Sequence, residues 1–199
     1  MSGAVRLAAV LALLVAGLAV LWLVREQVPE PALVAGAYDP PRPAPGFTLD
    51  GSHGAPVTLD RFRGQVVLLT FGFTHCAAVC PTTLATLAQA RSALGERAEG
   101  VQVVFVTVDP ERDTVEQMRP YLAAFDPTFV GATGDPATLA TVREAYGVTA
   151  EREGDGPDYA MAHTSSIFLI DRAGRLRAMM PFGHDAADFA HDLNLLLEG

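Results

Sequence analysis

A buried strand that leads into a pair of cysteines constrains the fold of this chain more than any other feature. Residues 66–71 form an almost continuous apolar run, which is typical of a central strand covered on both faces. Cys76 and Cys80 follow the strand, and Pro81 suits the first turn of a helix because its missing N–H is not needed there. Both cysteines therefore lie at a strand-to-helix junction, where unpaired N–H groups and the helix dipole stabilise thiolates.

The rest of the sequence alternates between predicted strands and helices. Strands are predicted at 47–49, 57–59, 101–108, 129–130, 165–170 and 176–180, and helices at 81–94, 114–125, 135–147 and 185–198. Alternation of this kind implies right-handed parallel crossovers. A closing hairpin followed by a helix is the thioredoxin-like arrangement, which the segment between Phe129 and Tyr159 enlarges as an insertion. The predicted fold class is α/β, a thioredoxin-like fold with an inserted helical or loop segment.

One N-terminal transmembrane helix is expected before this domain. Residues 7–24 are apolar apart from Gly17, and Arg6 and Arg25 flank them. Eighteen helical residues would span roughly 27 Å, close to the ~30 Å hydrocarbon core. The alternative is a cleaved signal peptide, but its apolar core would be only about 7–15 residues and would end in small residues. We therefore predict a retained anchor at 1–25.

A spacer and a single domain are predicted to follow the anchor. Residues 26–45 are rich in proline, which favours a semi-rigid extended linker, and the globular domain is predicted at 46–199. The charges flanking the apolar run favour a cytoplasmic N-terminus and a domain on the opposite side. Because no mitochondrial presequence is recognisable, we expect a bacterial inner membrane with the domain on the periplasmic side.

The charge of the domain argues against nucleic acid as a partner. The formal net charge is -9, and the chain contains no Lys. After the first 25 residues, 12 Arg face 23 acids, a balance of -11. Such a domain repels a phosphate backbone. It is compatible with a basic protein or a cationic substrate.

A histidine adds a third donor to the two cysteines. In a thioredoxin-like fold, the loop that enters the closing hairpin packs beside the cysteine loop, and His163 lies in that predicted loop. Two thiolates and one imidazole form a soft set that suits copper as Cu(I) or Cu(II), while zinc could use the same set with a water. Asp109 could tune the site or could belong to a turn and helix-cap motif, and His75 is expected to face solvent rather than to support the ligands. Met161, Met179 and Met180 are expected to fill the core.

Two enzymatic alternatives remain open. A thiol–disulfide oxidoreductase would use Cys76 and Cys80 as its redox pair but has no need of an imidazole at position 163. Thioredoxins also favour a C-x-x-C spacing and a proline at the hairpin entry, where this chain has Thr164 and Ser165. A peroxidase is suggested by the fragment from Val79 to Thr82, but it would leave the other donors without a role.

Three segments in the same order resemble the Sco/SenC family of copper-binding assembly factors. They are residues 71–83 around the cysteines, 108–114 with the sequence VDPERDT, and 159–171 around the histidine. The resemblance implies that Cys76, Cys80 and His163 are copper ligands. This chain has Ala77 and Ala78 where the family usually has Pro-Asp.

The resemblance also implies a role and partners. The family delivers copper to the dinuclear CuA centre of cytochrome c oxidase, or keeps the cysteines of that centre reduced. The expected partners are therefore the copper-bearing oxidase subunit, the membrane, and a second protein that donates the copper.

Overall fold

The computed structural model describes residues 11, 13, 14, 17, 32–156 and 158–199. It divides into two compact units, Met1–Ala32 and Leu33–Gly199. Most of the predicted anchor, and residues 26–31 of the predicted spacer, lie outside the described residues. Within the described part, no helix has the length and apolar character needed to cross a bilayer.

The described residues of the second unit include ten strands and four α-helices. The strands are β1 Gly36–Pro43, β2 Thr48–Gly51, β3 Val57–Thr58, β4 Val66–Gly72, β5 Val101–Thr107, β6 Val130–Thr133, β7 Ala150–Glu153, β8 Ala160–His163, β9 Ser166–Ile170 and β10 Arg175–Pro181. The helices are α1 Val79–Ala93, α2 Val115–Ala123, α3 Pro136–Tyr146 and α4 Ala186–Glu198.

Eight strands form one mixed sheet in the order β1-β10-β9-β4-β5-β6-β2-β3. Strands β4, β5 and β6 are parallel, and β9 joins β4 antiparallel. Every residue of β4 is buried, which explains why its sequence is a continuous apolar run rather than an alternating one. Helices α1 and α4 pack against each other, and α2 packs on β6. The thioredoxin-like arrangement predicted from the element order is confirmed.

Local capping chemistry sets the helix boundaries. Thr114, Asp135 and Asp185 accept hydrogen bonds from first-turn amides of α2, α3 and α4. Helix α3 ends at Gly147, whose φ of 69° is the left-handed conformation that glycine adopts without strain. Helix α1 begins at Val79, two residues before the predicted start, so its proline occupies the third position of the first turn.

The chain is folded upstream of Gly46, the predicted start of the domain. Residues 36–43, expected to be spacer, form the edge strand β1, which pairs antiparallel with β10. An edge strand tolerates prolines because one side of its backbone needs no partner. The buried Asp192 carboxylate of α4 accepts hydrogen bonds from the amides of Val34 (2.7 Å) and Ala35 (2.9 Å). The compact unit therefore begins at Leu33.

The segment predicted as an insertion contains a second hairpin. Strands β7 and β8 pair antiparallel with each other and stand apart from the main sheet. His163 is the last residue of β8 rather than part of a loop, and it pairs with Ala150. The hairpin thus fixes the position of this histidine before the chain enters β9.

We expect Asp192→Ala to lower the free energy of unfolding by about 1–3 kcal/mol, because two amides lose their only acceptor where water cannot fully replace it. Urea unfolding measures the change, and hydrogen exchange at Val34 and Ala35 should quicken. Asp188→Ala is the matched control, since that carboxylate lies one turn earlier on α4, is partly exposed and, within the described part of the chain, has His184 as its one polar side-chain partner. Equal losses in the two variants would contradict the assigned role of Asp192.

Candidate metal centre

The cysteine loop connects the end of β4 to the start of α1. Gly72 ends the strand, and a Cβ at this position would lie 2.8 Å from Cys80 Sγ and 2.7 Å from Phe105 Cε2. Those separations are shorter than carbon contacts allow, so only glycine lets the sulfur approach the strand. The buried position of Cys80 therefore depends on a missing side chain in β4.

The two sulfurs lie in different environments at the start of α1. Cys80 is buried and Cys76 is half-buried, and both are free thiols. Ala78 occupies the N-cap position and offers no side-chain acceptor. The amide of Cys80 instead donates to Cys76 Sγ at 3.5 Å. The Cys76 sulfur thus takes the place that a capping side chain usually holds.

These environments shift the pKa values of the two thiols in opposite directions. Burial acts to raise the pKa of Cys76, but hydrogen bonds from the amides of Cys80, Ala78 and Val79 outweigh it, and the pKa falls below that of a free cysteine. Burial raises the pKa of Cys80 to about 12, and the neighbouring Cys76 and Asp113 charges act in the same direction. Cys76 is therefore the more readily ionised of the two.

His163 brings its ring to the buried cysteine. Its Nε2 lies 3.8 Å from Cys80 Sγ, and its Nδ1 lies 3.0 Å from the carbonyl oxygen of Thr164. Because a carbonyl only accepts, Nδ1 carries the hydrogen and Nε2 keeps its lone pair toward the sulfur. Burial lowers the pKa of His163, and the Thr164 contact opposes this only in part, so the ring is neutral at neutral pH. The edge-on ring of Phe73 packs beside it.

The residue that supports the cysteine loop is Asp113 and not Asp109. The Asp113 carboxylate is fully buried and accepts from the Thr74 amide (3.0 Å), the Thr74 hydroxyl and the Thr107 hydroxyl (2.7 Å). The Asp109 carboxylate instead accepts hydrogen bonds from Arg112 Nε and from the hydroxyl of Tyr159. Asp113 was not singled out from the sequence as a neighbour of the site, although it belongs to the same VDPERDT segment as Asp109. The feature that could have indicated its role is its spacing of four residues from Asp109, about one helical turn.

The other candidates lie outside the donor set. His75 is about half-exposed, and its Nδ1 lies 3.1 Å from the Thr74 hydroxyl. Met180 is buried in the core, and Met161 and Met179 pack against the core, as predicted. Within the described residues, no three His, Cys, Asp or Glu side chains already surround a common centre.

The chemistry of the donor set fits copper. Two sulfurs and a neutral imidazole with its lone pair directed at one of them are soft and intermediate donors of the kind that Cu(I) prefers. The tied Nδ1 fixes which ring nitrogen is available, as is usual for metal-binding histidines. The donor atoms that these residues could offer to a single ion are Cys76 Sγ, Cys80 Sγ and His163 Nε2.

We expect Cys76 to react with iodoacetamide at least about tenfold faster than Cys80 at pH 7.5, because the thiolate is the nucleophile and only Cys76 ionises readily. Mass spectrometry of the reduced full-length protein after timed alkylation gives both rates. Cys76→Ser and Cys80→Ser supply the single-thiol controls. Equal rates, or a faster Cys80, would contradict the assigned environments.

Comparisons with known proteins identify the family. A family model described as SCO1/SenC matches residues 36–198. The structure of Bradyrhizobium japonicum ScoI with copper bound is 39% identical and has a TM-score of 0.72, covering 77% of this chain and 99% of its own. Apo Sco1 from Thermus thermophilus is 37% identical with a TM-score of 0.76, covering 85% of this chain and 99% of its own.

A curated relative supports the same assignment. A SCO2-like protein of Rickettsia conorii is 33% identical over 132 residues, which is 65% of this chain and 64% of that protein. This chain therefore spans somewhat less than two thirds of the length of that relative. The match of the family model covers β1 through α4, so the chain belongs to the SCO1/SenC family.

Proposed function

We propose that this protein is a copper metallochaperone that binds one copper ion through Cys76, Cys80 and His163. The observation that carries the proposal is the 3.8 Å approach of His163 Nε2 to Cys80 Sγ, with Nδ1 held by a carbonyl. A protein that used only its two thiols would not need an imidazole oriented in this way. Relatives solved with copper bound support the choice of metal.

The site offers a path for a cargo ion as well as a place to hold it. Cys76 is the more exposed and more readily ionised donor, so it is suited to meet an incoming or departing ion. Cys80 and His163 are more deeply placed, and they complete the set once the Cys80 proton is displaced. With one exposed donor and two more deeply placed donors, the copper ion could be exchanged with another protein through the accessible sulfur of Cys76.

The proposed recipient is the copper-bearing subunit of cytochrome c oxidase. SCO1/SenC proteins are copper-binding proteins that take part in the assembly of this oxidase. The apolar run at residues 7–24 supports a retained anchor in a bacterial inner membrane, with the domain on the periplasmic side. That placement would put the site on the side of the membrane where an extracytoplasmic oxidase domain is reached.

A thiol–disulfide reductase acting on the recipient is the second candidate, and the opposite pKa shifts of the two cysteines favour it. The Cys76 thiolate would attack a substrate disulfide and release one substrate thiolate. Cys80, once deprotonated, would attack the Cys76 sulfur of the mixed disulfide and release the second thiolate. The substrate gains two electrons and, at neutral pH, two protons, and the chain ends with a Cys76–Cys80 disulfide.

We expect the reduced protein to bind one equivalent of Cu(I), and His163→Ala to weaken that binding by about tenfold or more. Anaerobic titration against a chromophoric Cu(I) chelator measures the affinity. His184→Ala is the matched control, because the His184 imidazole contacts Asp188 on the surface, away from the cysteines. This variant should bind copper with the affinity of the parent. An unchanged affinity in His163→Ala would contradict the proposed ligand set.

The same variant separates the two candidate functions. His163→Ala should still form the Cys76–Cys80 disulfide, since both thiols that make the bond remain. Loaded with Cu(II), the parent should show an intense thiolate-to-copper absorption that Cys76→Ser and Cys80→Ser weaken. A protein that reduces disulfides quickly but takes up no copper would support the reductase instead.

A further inference from the structure

A cavity of about 160 Å³ lies beside the strand that carries His163. Its wall includes Met161, two residues before His163 in β8, together with Tyr159 and Arg143 of α3. The residues at its rim are exposed, so it opens to solvent. The cavity is separate from the three donors and has no part in holding the metal.

Two guanidinium groups, of Arg143 and Arg152, and two carboxylates, of Asp109 and Glu111, line this cavity. The guanidinium carbons of Arg112 and Arg152 lie 3.6 Å and 3.7 Å from the ring centroid of Tyr159. Two groups this close to one centroid must occupy opposite faces of the ring, since on one face they would collide. Tyr159 thus holds two guanidinium groups in fixed positions, and that of Arg152 lies at the wall of the cavity.

Only part of this positive charge is neutralised. Asp109 pairs with Arg112, and Glu111 lies 3.6 Å from Arg152. Arg143 also lines the cavity, is half-buried and forms no ion pair or side-chain hydrogen bond with the residues that the structure describes. Burial lowers its pKa, with no carboxylate opposing the effect. A half-buried cation without an anion is costly, and an incoming carboxylate would relieve that cost.

We propose that this cavity receives a carboxylate side chain of the protein that exchanges copper with this chain, an inference that rests on the proposed function. One surplus charge at an open cavity binds a free carboxylate only at about millimolar concentration, but it adds to the affinity of a larger interface. The apolar walls formed by Val108, Pro110 and Met161 suit the methylene groups of a glutamate. The domain as a whole is acidic, so the unpaired guanidinium of Arg143 beside β8 favours the approach of an acidic group of the partner at this cavity.

The first test reads the cavity directly. The full-length protein in detergent, labelled with ¹³C at the methionine methyl groups, is titrated with N-acetylglutamate N-methylamide. We expect a saturable shift of the Met161 methyl signal at about millimolar probe. The signal of Met118, which is fully buried elsewhere, serves as an internal control and should not move. The neutral glutamine analogue should have no effect, and Arg143→Gln should weaken the binding about fivefold or more.

The second test uses the recipient. Copper transfer to the soluble copper-bearing domain of oxidase subunit II from the same organism should slow about tenfold in Arg143→Glu at low salt, and less at high salt. Arg119→Glu is the matched control, because Arg119 is exposed on α2 and outside the cavity, and it should change the rate less than about twofold. Copper affinity and the urea midpoint should match the parent in both variants.

The outcomes separate this inference from the proposed function. Absence of a saturable Met161 shift, or equal slowing in Arg143→Glu and Arg119→Glu, would overturn the carboxylate site. A parent protein that binds the probe but exchanges no copper with the oxidase domain would count against the metallochaperone function while leaving the carboxylate site in place.

Discussion

The first turn of α1 begins without a capping side chain, and the proposed metal centre depends on which groups accept hydrogen bonds from the free amides of that turn. With Ala78 at the N-cap, the amide of Cys80 donates to the Cys76 sulfur. An aspartate or serine at the N-cap would compete for the same N–H groups. The helix start therefore stabilises one thiolate, while the second cysteine is carried into the core beside β4. Both the outer and the inner donor result from this single arrangement.

The surrounding structure holds this arrangement in place. Gly72 leaves room for the buried sulfur, and the carboxylate of Asp113 fastens the loop through Thr74. The hairpin of β7 and β8 delivers His163 from the other side, and the amide of Thr164 bonds the carbonyl of Thr149. Each support comes from a different element, so the donors are positioned by the fold as a whole rather than by one local motif.

The sequence predicted the elements whose signals are local. Strand β4 is buried throughout, so its apolar run is visible in the sequence. Thr114, Asp135 and Asp185 mark helix starts because each accepts hydrogen bonds from amides only two or three residues later. Strand β1 was missed because most of its side chains are exposed and its prolines resemble a linker. The strand is held by its pairing with β10, and the residues just before it are held by Asp192, which lies 157 residues from Ala35 along the chain. No local pattern reveals such contacts.

The residues of the candidate site also differ in whether a local sequence pattern predicts them. Cys76 and Cys80 could be predicted from the strand-to-helix junction, whereas His163 required the fold to bring it near. Strands β7 and β8 were missed because neither contains a fully buried residue, so they lack the apolar pattern of a core strand. Asp113 was passed over for Asp109 because only the three-dimensional turn shows which carboxylate faces Thr74.

The measurement that tests the central claim most directly is X-ray absorption spectroscopy of the full-length protein loaded with one equivalent of Cu(I). We predict two sulfur scatterers and one imidazole nitrogen around the metal, and loss of the nitrogen contribution in His163→Ala. A copper environment with sulfur alone in the parent, or one unchanged by that substitution, would contradict the three-donor site.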